Sequence, residues 1–423
     1  MPVLLILSIV IFTCLHLISV KSEGAQTCNS HSGGDTGKAT EAILSHMTDE
    51  GFIDEDRAND GLYNRNRFNP YGNAVNIVAL DSRNARKTLI AWKQIYDYQK
   101  RGGGFHGFYF FYGDGAEPLI DSEKDRRLTA QAAWMSLAIS HYVSRKEISE
   151  PDRTEFSKMR DDINDWILKR NRNPDGGLSM GEGQYDGDLG YGQRTKAPIQ
   201  YANLYATEHN IDAYAALKSS SRASDRREAG RLEQYLLGRF DLKTNMFDGG
   251  YKTADERPLD AQTWLVLALD ETKRKQHRDK LNAALKEALR RYQITAEYKG
   301  RSVTGLHSGN GDIRGVWPEG TYGMIQALQA MAKGNEMAGD SAAAKQFREK
   351  ARFYSQEMAK LQNESGAFIY DTSGAWNSGV PFDHMSGTAW SILSAQGVNP
   401  FNPSERLGSD ATKCPPALNR PIG

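Results

Sequence analysis

AQAAWMSLAIS, from Ala130 to Ser140, has no polar face, and TEFSKMRDDINDWILK, from Thr154 to Lys169, has one apolar stripe and one charged face. A helix apolar all round must be buried on every side, whereas an amphipathic one covers something and meets water. The two kinds alternate along the chain. Ile211–Leu217, Ala261–Leu269, Thr321–Met331 and Thr388–Ala395 are of the first kind, with Asn73–Asp81 as a weak first member. Arg83–Gln99, Ser224–Phe240, Glu271–Tyr292 and Asp340–Leu361 are of the second, with Lys38–Met47 at the start. Two concentric layers explain this order: inner helices pack on one another, and outer helices shield them. The pattern predicts an all-α ring of about six inner and six outer helices, one domain spanning 35–398. Strand signals are sparse. Phe105–Tyr112 (FHGFYFFY) suits either a strand or a loop lining a cleft.

Loops from outer to inner helices are long and rich in glycine and aromatics, as in Pro174–Gln193, Thr244–Arg257 and Leu306–Pro318; the return loops are short. One face of the ring, at the N-terminal ends of the inner helices, is therefore built up. A cleft is expected there.

Three inner helices open with an acid: Glu208, Asp260 and Glu319, spaced 52 and 59 residues apart, about one helical hairpin each. Acids in a first turn also stabilise the helix N-terminus by roughly 0.3–1 kcal/mol, so capping competes with function, most evenly at Asp260. Glycoside hydrolysis needs two carboxyl groups flanking the bond, one protonated and one activating water, and a ring of helix ends can supply both. Sugar binding adds flat aromatic surfaces and a few polar groups. Tyr205, His209, Asn210, Arg314, Trp317, Tyr322 and Trp376 are the candidates; Trp134, Trp264 and Trp390 sit inside apolar helices and read as core.

Thr207-Glu208-His209-Asn210-Ile211-Asp212, Asp260-Ala261-Gln262-Thr263-Trp264 and Val316-Trp317-Pro318-Glu319-Gly320-Thr321 resemble inner-helix starts of the six-hairpin glycosidase superfamily, the (α/α)6 toroids. The resemblance implies acids at inner-helix N-termini and an enzyme acting on a poly- or oligosaccharide. The expected reaction is hydrolysis, inversion favoured, with Glu319 as acid and Glu208 or Asp260 as base. The same toroid hosts polysaccharide lyases, for which His209, Asn210, Tyr205 and Arg314 would act on a uronate. A ring that binds glycans without cleaving them is the third reading. Isoprenoid cyclases share Gly-Gly-aromatic loops such as Phe247-Asp248-Gly249-Gly250-Tyr251, but their acid-rich motif is missing.

Charge balances at 53 basic and 53 acidic residues, which gives no basis for a nucleic-acid or anionic-lipid partner. Val3–Val20 is almost wholly apolar, and Lys21–Ala25 follows as a polar stretch with small residues; this reads as an export signal (1–22) ahead of a tail (23–34), without lysine or arginine in its n-region. An uncleaved membrane anchor is the alternative. The expected product is a secreted monomer, free of the membrane after cleavage, with a second tail at 399–423. Cys28 and Cys414 would remain and pair, because ring closure makes the two ends neighbours. Neither a cofactor nor a metal is expected: Asp186-Gly187-Asp188-Leu189-Gly190 opens like a calcium loop, but its twelfth position is Ala197. Asn363-Glu364-Ser365 is a glycosylation sequon.

Overall fold

The structure is a computed structural model, and it describes residues 34–55, 66–108, 111–113, 119–120, 127–185, 199–250, 257–309, 315–374 and 379–408. The described residues all belong to one compact unit. The export signal, Cys28, Cys414, Arg314, Trp376 and the Asp186–Gly190 loop lie outside the described residues.

Thirteen helices are described: α1 (Thr36–Ser45), α2 (Pro70–Ala79), α3 (Ser82–Arg101), α4 (Thr129–Val143), α5 (Glu150–Leu168), α6 (Thr207–Lys218), α7 (Ala223–Gly238), α8 (Leu259–Ala268), α9 (Glu271–Gln276), α10 (Arg278–Tyr292), α11 (Pro318–Met337), α12 (Ser341–Ala359) and α13 (Met385–Gln396). Helices α2, α4, α6, α8, α11 and α13 form the inner layer. Each packs on the next, and α13 returns to α2, so the ring closes. Helices α1, α3, α5, α7, α9 with α10, and α12 form the outer layer. Helix α1 packs on α13, so the chain start shields the last inner helix.

Burial follows the alternation read from the sequence. In α4, 14 residues from Thr129 to Val143 are buried, all but Ala130, whereas α5 buries only one face around Phe156, Met159, Ile163 and Ile167. The expected outer helix over 271–292 is two helices that meet at His277. Helix α2 starts three residues before the expected position: Asn69 caps it by accepting the N–H of Tyr71 at 2.9 Å, and Pro70 occupies the first turn. An antiparallel hairpin, Gln293–Tyr298 with Arg301–Leu306, was not anticipated; Lys299 (φ 48°) and Gly300 (φ 72°) make its turn. Part of the aromatic Phe105–Tyr112 segment is strand: Phe111–Gly113 pairs with Asn66–Phe68 and Leu119–Ile120.

One hydrogen-bond motif recurs around the ring. The fourth residue of five inner helices is polar and holds the backbone of the preceding loop. Asn73 accepts from Ile53 N at 2.8 Å and donates to Ile53 O at 2.9 Å. Asn210 does the same to Leu178 at 2.7 and 3.0 Å, and Gln262 to Phe247 at 2.9 and 2.8 Å. Thr321 and Thr388 accept from Leu306 at 3.0 Å and Phe368 at 2.9 Å. Residues two apart on a helix lie about 200° apart, so the second residue of the same helices turns the opposite way. The loops are thus fastened on one side of five of the six inner helices, and the second position turns away from them. Among the described residues no helix is long and apolar enough to cross a membrane.

Candidate active site

Position two of the inner helices reads Tyr71, Ala130, Glu208, Asp260, Glu319 and Ser386. The three acids lie in first turns of helices whose cap residues, Ala206, Pro258 and Trp317, make no side-chain capping bond.

Glu319 is 5 % exposed and packed between two elements distant in sequence. The Tyr71 hydroxyl donates to its Oε1, and Trp390 Nε1–H donates to the Tyr71 oxygen at 3.0 Å. On the other side, Oε2 faces Nδ1 of His384 at 3.6 Å. Burial pushes the Glu319 carboxyl up to about 7, opposed by the Tyr71 hydrogen bond. Burial first, then Glu208 and Glu319, raise Asp260 well above the usual carboxylate range. A charge that feels both glutamates belongs on the wall between them, as the ring order of α6, α8 and α11 requires. Asp260 Oδ1 is shut off from solvent without a hydrogen-bond partner. Glu208 keeps 22 % of its side chain exposed, against 6 % for Glu319.

One turn deeper, position six reads Val75, Trp134, Asp212, Trp264, Gly323 and Trp390. These residues make the floor. Trp264 and Trp390 stack at 6.2 Å and 8°, Trp134 stands edge-on to both, and Phe401 closes the group at 4.9 Å from Trp134. The three tryptophans are core, as expected, and meet one another one turn below the position-two residues. Tyr71 bridges floor and acids, with its ring 5.1 Å from Trp134. Asp212, one turn below Glu208, is buried beside the Trp134 indole; burial, then Glu208 and Asp260, push its carboxyl well up.

The other expected site residues fare differently. Asn210 commits its amide to Leu178 and also donates to Ala206 O at 2.8 Å, so it is a loop clamp. His209 is buried, with Nδ1 3.3 Å from Met180 O and Nε2 3.7 Å from Glu208 Oε1; burial lowers it to about 4, so it is neutral at pH 7. Tyr322 is buried against Phe368 and presents no face to a substrate. Trp317 folds across Gly320, where a Cβ would stand 2.2 Å from the indole; it is a buried wedge reaching toward Leu259. Tyr205 is partly exposed just before α6 and remains available to the cleft.

Tyr71, Glu55, His384 and Asp212 were missed. Tyr71 and Asp212 could have been found by extending the position-two and position-six registers to every inner helix. Glu55 and His384 belong to segments far apart in the chain, and no spacing links them. Among the described residues no group of three or more histidines, cysteines or acids could hold a metal ion.

No family model and no curated protein matches the chain. Solved structures do. A wild-type glycosidase superposes with a TM-score of 0.56 at 11% identity, over 86% of this chain and 96% of that one. A family 76 glycoside hydrolase from a bovine Bacteroides thetaiotaomicron strain gives 0.52 at 9%, over 85% and 76%. Cellobiose 2-epimerase from Bacillus thermoamylovorans gives 0.55 at 10%, over 85% and 98%. At these identities the likeness concerns architecture: this chain has the six-hairpin (α/α)6 toroid fold that these glycosidases and the epimerase share.

Proposed function

We propose that the chain is a secreted carbohydrate-active enzyme, a glycoside hydrolase cleaving a poly- or oligosaccharide with inversion. Glu319 is the general acid and Glu208 or Asp260 the base. The observation that carries this reading is the burial of Glu319 at an inner-helix start, which pushes its carboxyl up to about 7, while Glu208 keeps 22 % of its side chain exposed. Glu319 gives its proton to the leaving oxygen, which also takes the electron pair of the broken C–O bond. A water gives its hydroxyl to the sugar carbon and its proton to the base. The structural neighbours are glycosidases and sugar epimerases, which agrees with a carbohydrate substrate.

The lyase reading loses support because its Asn210 is committed to loop backbone and its His209 is buried against Met180. One observation favours a second reading, sugar isomerisation or epimerisation: the buried imidazole of His384 beside Glu319 could move a proton at carbon. Incubating the purified protein with a panel of neutral and uronic glycans and free aldoses in D2O separates these. Hydrolysis gives new reducing ends without carbon-bound deuterium. A lyase gives an ultraviolet-absorbing product, and an isomerase gives carbon-bound deuterium without cleavage. Binding without turnover, undiminished when all three acids are replaced by amides, would instead support a glycan-binding ring.

A further inference from the structure

The network behind Glu319 has a direction. Oε1 of Glu55 lies 3.2 Å from Nε2 of His384 and accepts both the N–H of Ser386, at 2.9 Å, and its hydroxyl. Donors converging on one oxygen are the pattern of an ionised carboxylate. Nδ1 of His384 accepts the N–H of Gly387 at 3.3 Å. A ring nitrogen that accepts carries no hydrogen, so the network assigns the hydrogen to Nε2, directed at Glu55. Nδ1, which carries no hydrogen, therefore stands 3.6 Å from Glu319 Oε2. A bare carboxylate there would set two acceptors against each other; a protonated Oε2 turns a donor toward Nδ1, which it shares with the Gly387 N–H. On its other oxygen Glu319 already receives the Tyr71 hydroxyl.

The seat of Glu55 is shaped to hold it. Its side chain lies against Gly72, where a Cβ would stand 1.6 Å from Oε2, so only glycine fits. The Glu55 carbonyl receives Met385 N at 3.2 Å, which ties this segment to the start of α13. Tyr370 meets the His384 ring edge-on at 4.7 Å. The groups facing Glu319 are thus Tyr71 from α2, His384 from the start of α13 with Glu55 behind it, and Asp260 from α8.

We propose that Glu55 and His384 are a positioning pair: Glu55 fixes the imidazole, and Nδ1 of His384 keeps the transferable proton of Glu319 on Oε2. The proposal deepens the hydrolase reading and rests on it for the fate of that proton. Replacing Glu55 by Gln keeps the shape but removes the charge and lets the amide donate to Nε2. The hydrogen then moves to Nδ1, which stabilises the Glu319 carboxylate.

Infrared difference titration of the Glu319 carboxyl, assigned by subtracting Glu319→Gln, needs no substrate. Its midpoint should fall by about one pH unit or more in Glu55→Gln, with circular dichroism unchanged. On a cleaved glycan the alkaline limb of the kcat profile should fall with it. His384→Phe, which keeps a ring against Tyr370, should lower kcat by roughly 10- to 100-fold while KM changes by less than about threefold. An unmoved or raised Glu319 midpoint in folded Glu55→Gln, or an effect on KM alone in His384→Phe, would overturn the pair. Should no glycan be cleaved by the wild type, the hydrolase reading fails, while the titration still decides the placement of the proton. Should His384→Phe fail to fold, the isosteric Glu55→Gln decides alone.

Discussion

Glu319 binds its proton more tightly in the folded chain than in the unfolded one, because burial lifts its carboxyl from 4.5 to about 7. The sign follows: this group costs the fold nothing below pH 4.5, and the cost grows as pH rises to 7, reaching about 3 kcal/mol above it. Glu319→Gln should therefore be more stable than the wild type at pH 9 and nearly equal at pH 4, measured as the denaturant midpoint in both buffers. A difference that does not vary with pH would mean that the carboxyl is ionised like an exposed one. That Glu208, Asp260 and Glu319 open three inner helices was legible in the sequence because hairpin spacing repeats along the chain. Their partners were not. Tyr71 was hidden by a helix start read three residues late, and Glu55 reaches Ser386 across a separation of 331 residues. Among the aromatics, Tyr322 and Trp317 looked like sugar platforms because they flank Glu319. Neighbours in sequence on a helix point in different directions, however, and both side chains turn into the packing.

At the scale of the element, five of the six inner helices divide their work by angle: position two for the candidate site, position four for the loop behind it, position six for the floor. The amphipathic pattern revealed which helices are inner but not this division, since a helix buried all round has no stripe to read. Asn210 illustrates the loss. In the sequence it adjoins Glu208 and His209 and looks chemical; in the fold its amide replaces backbone partners that the loop lacks. Removing such a clamp leaves a buried N–H and C=O without partners, at about 1–3 kcal/mol each. Gln262→Ala should thus lower stability by about 2–4 kcal/mol and loosen the Phe247 segment, seen as faster amide exchange there. Unchanged exchange at Phe247 would show that the Phe240–Phe247 pairing alone holds the loop.

For the whole molecule, the consequence of the closed ring is cooperativity. In an open stack of helical hairpins the end units fray, since each has one neighbour. Here α2 and α13 are first and last among inner helices, yet they pack on each other, and the tryptophan floor joins α4, α8 and α13 through the axis. Hydrogen exchange should show α2 and α13 as protected as α6 and α8. Exchange at the first and last helices faster by orders of magnitude would contradict closure. Closure also serves the site: it brings Tyr71 and Glu55 from the start of the ring to His384 at its end and to Glu319 before it. The sequence revealed the ring through its alternation, but not that its two ends meet at Glu319.

That meeting makes Glu319 the residue on which the account depends, and the most direct test compares Glu319→Gln with wild type on two substrates. One is a natural glycan cleaved by the wild type; the other carries the same sugar on a leaving group that needs no protonation. Loss of a positioned acid should lower kcat on the natural glycan by roughly 100-fold or more and leave the activated substrate within about tenfold of wild type. Full activity of Glu319→Gln on the natural glycan, or equal losses on both substrates, would contradict the assignment of Glu319 as the proton donor.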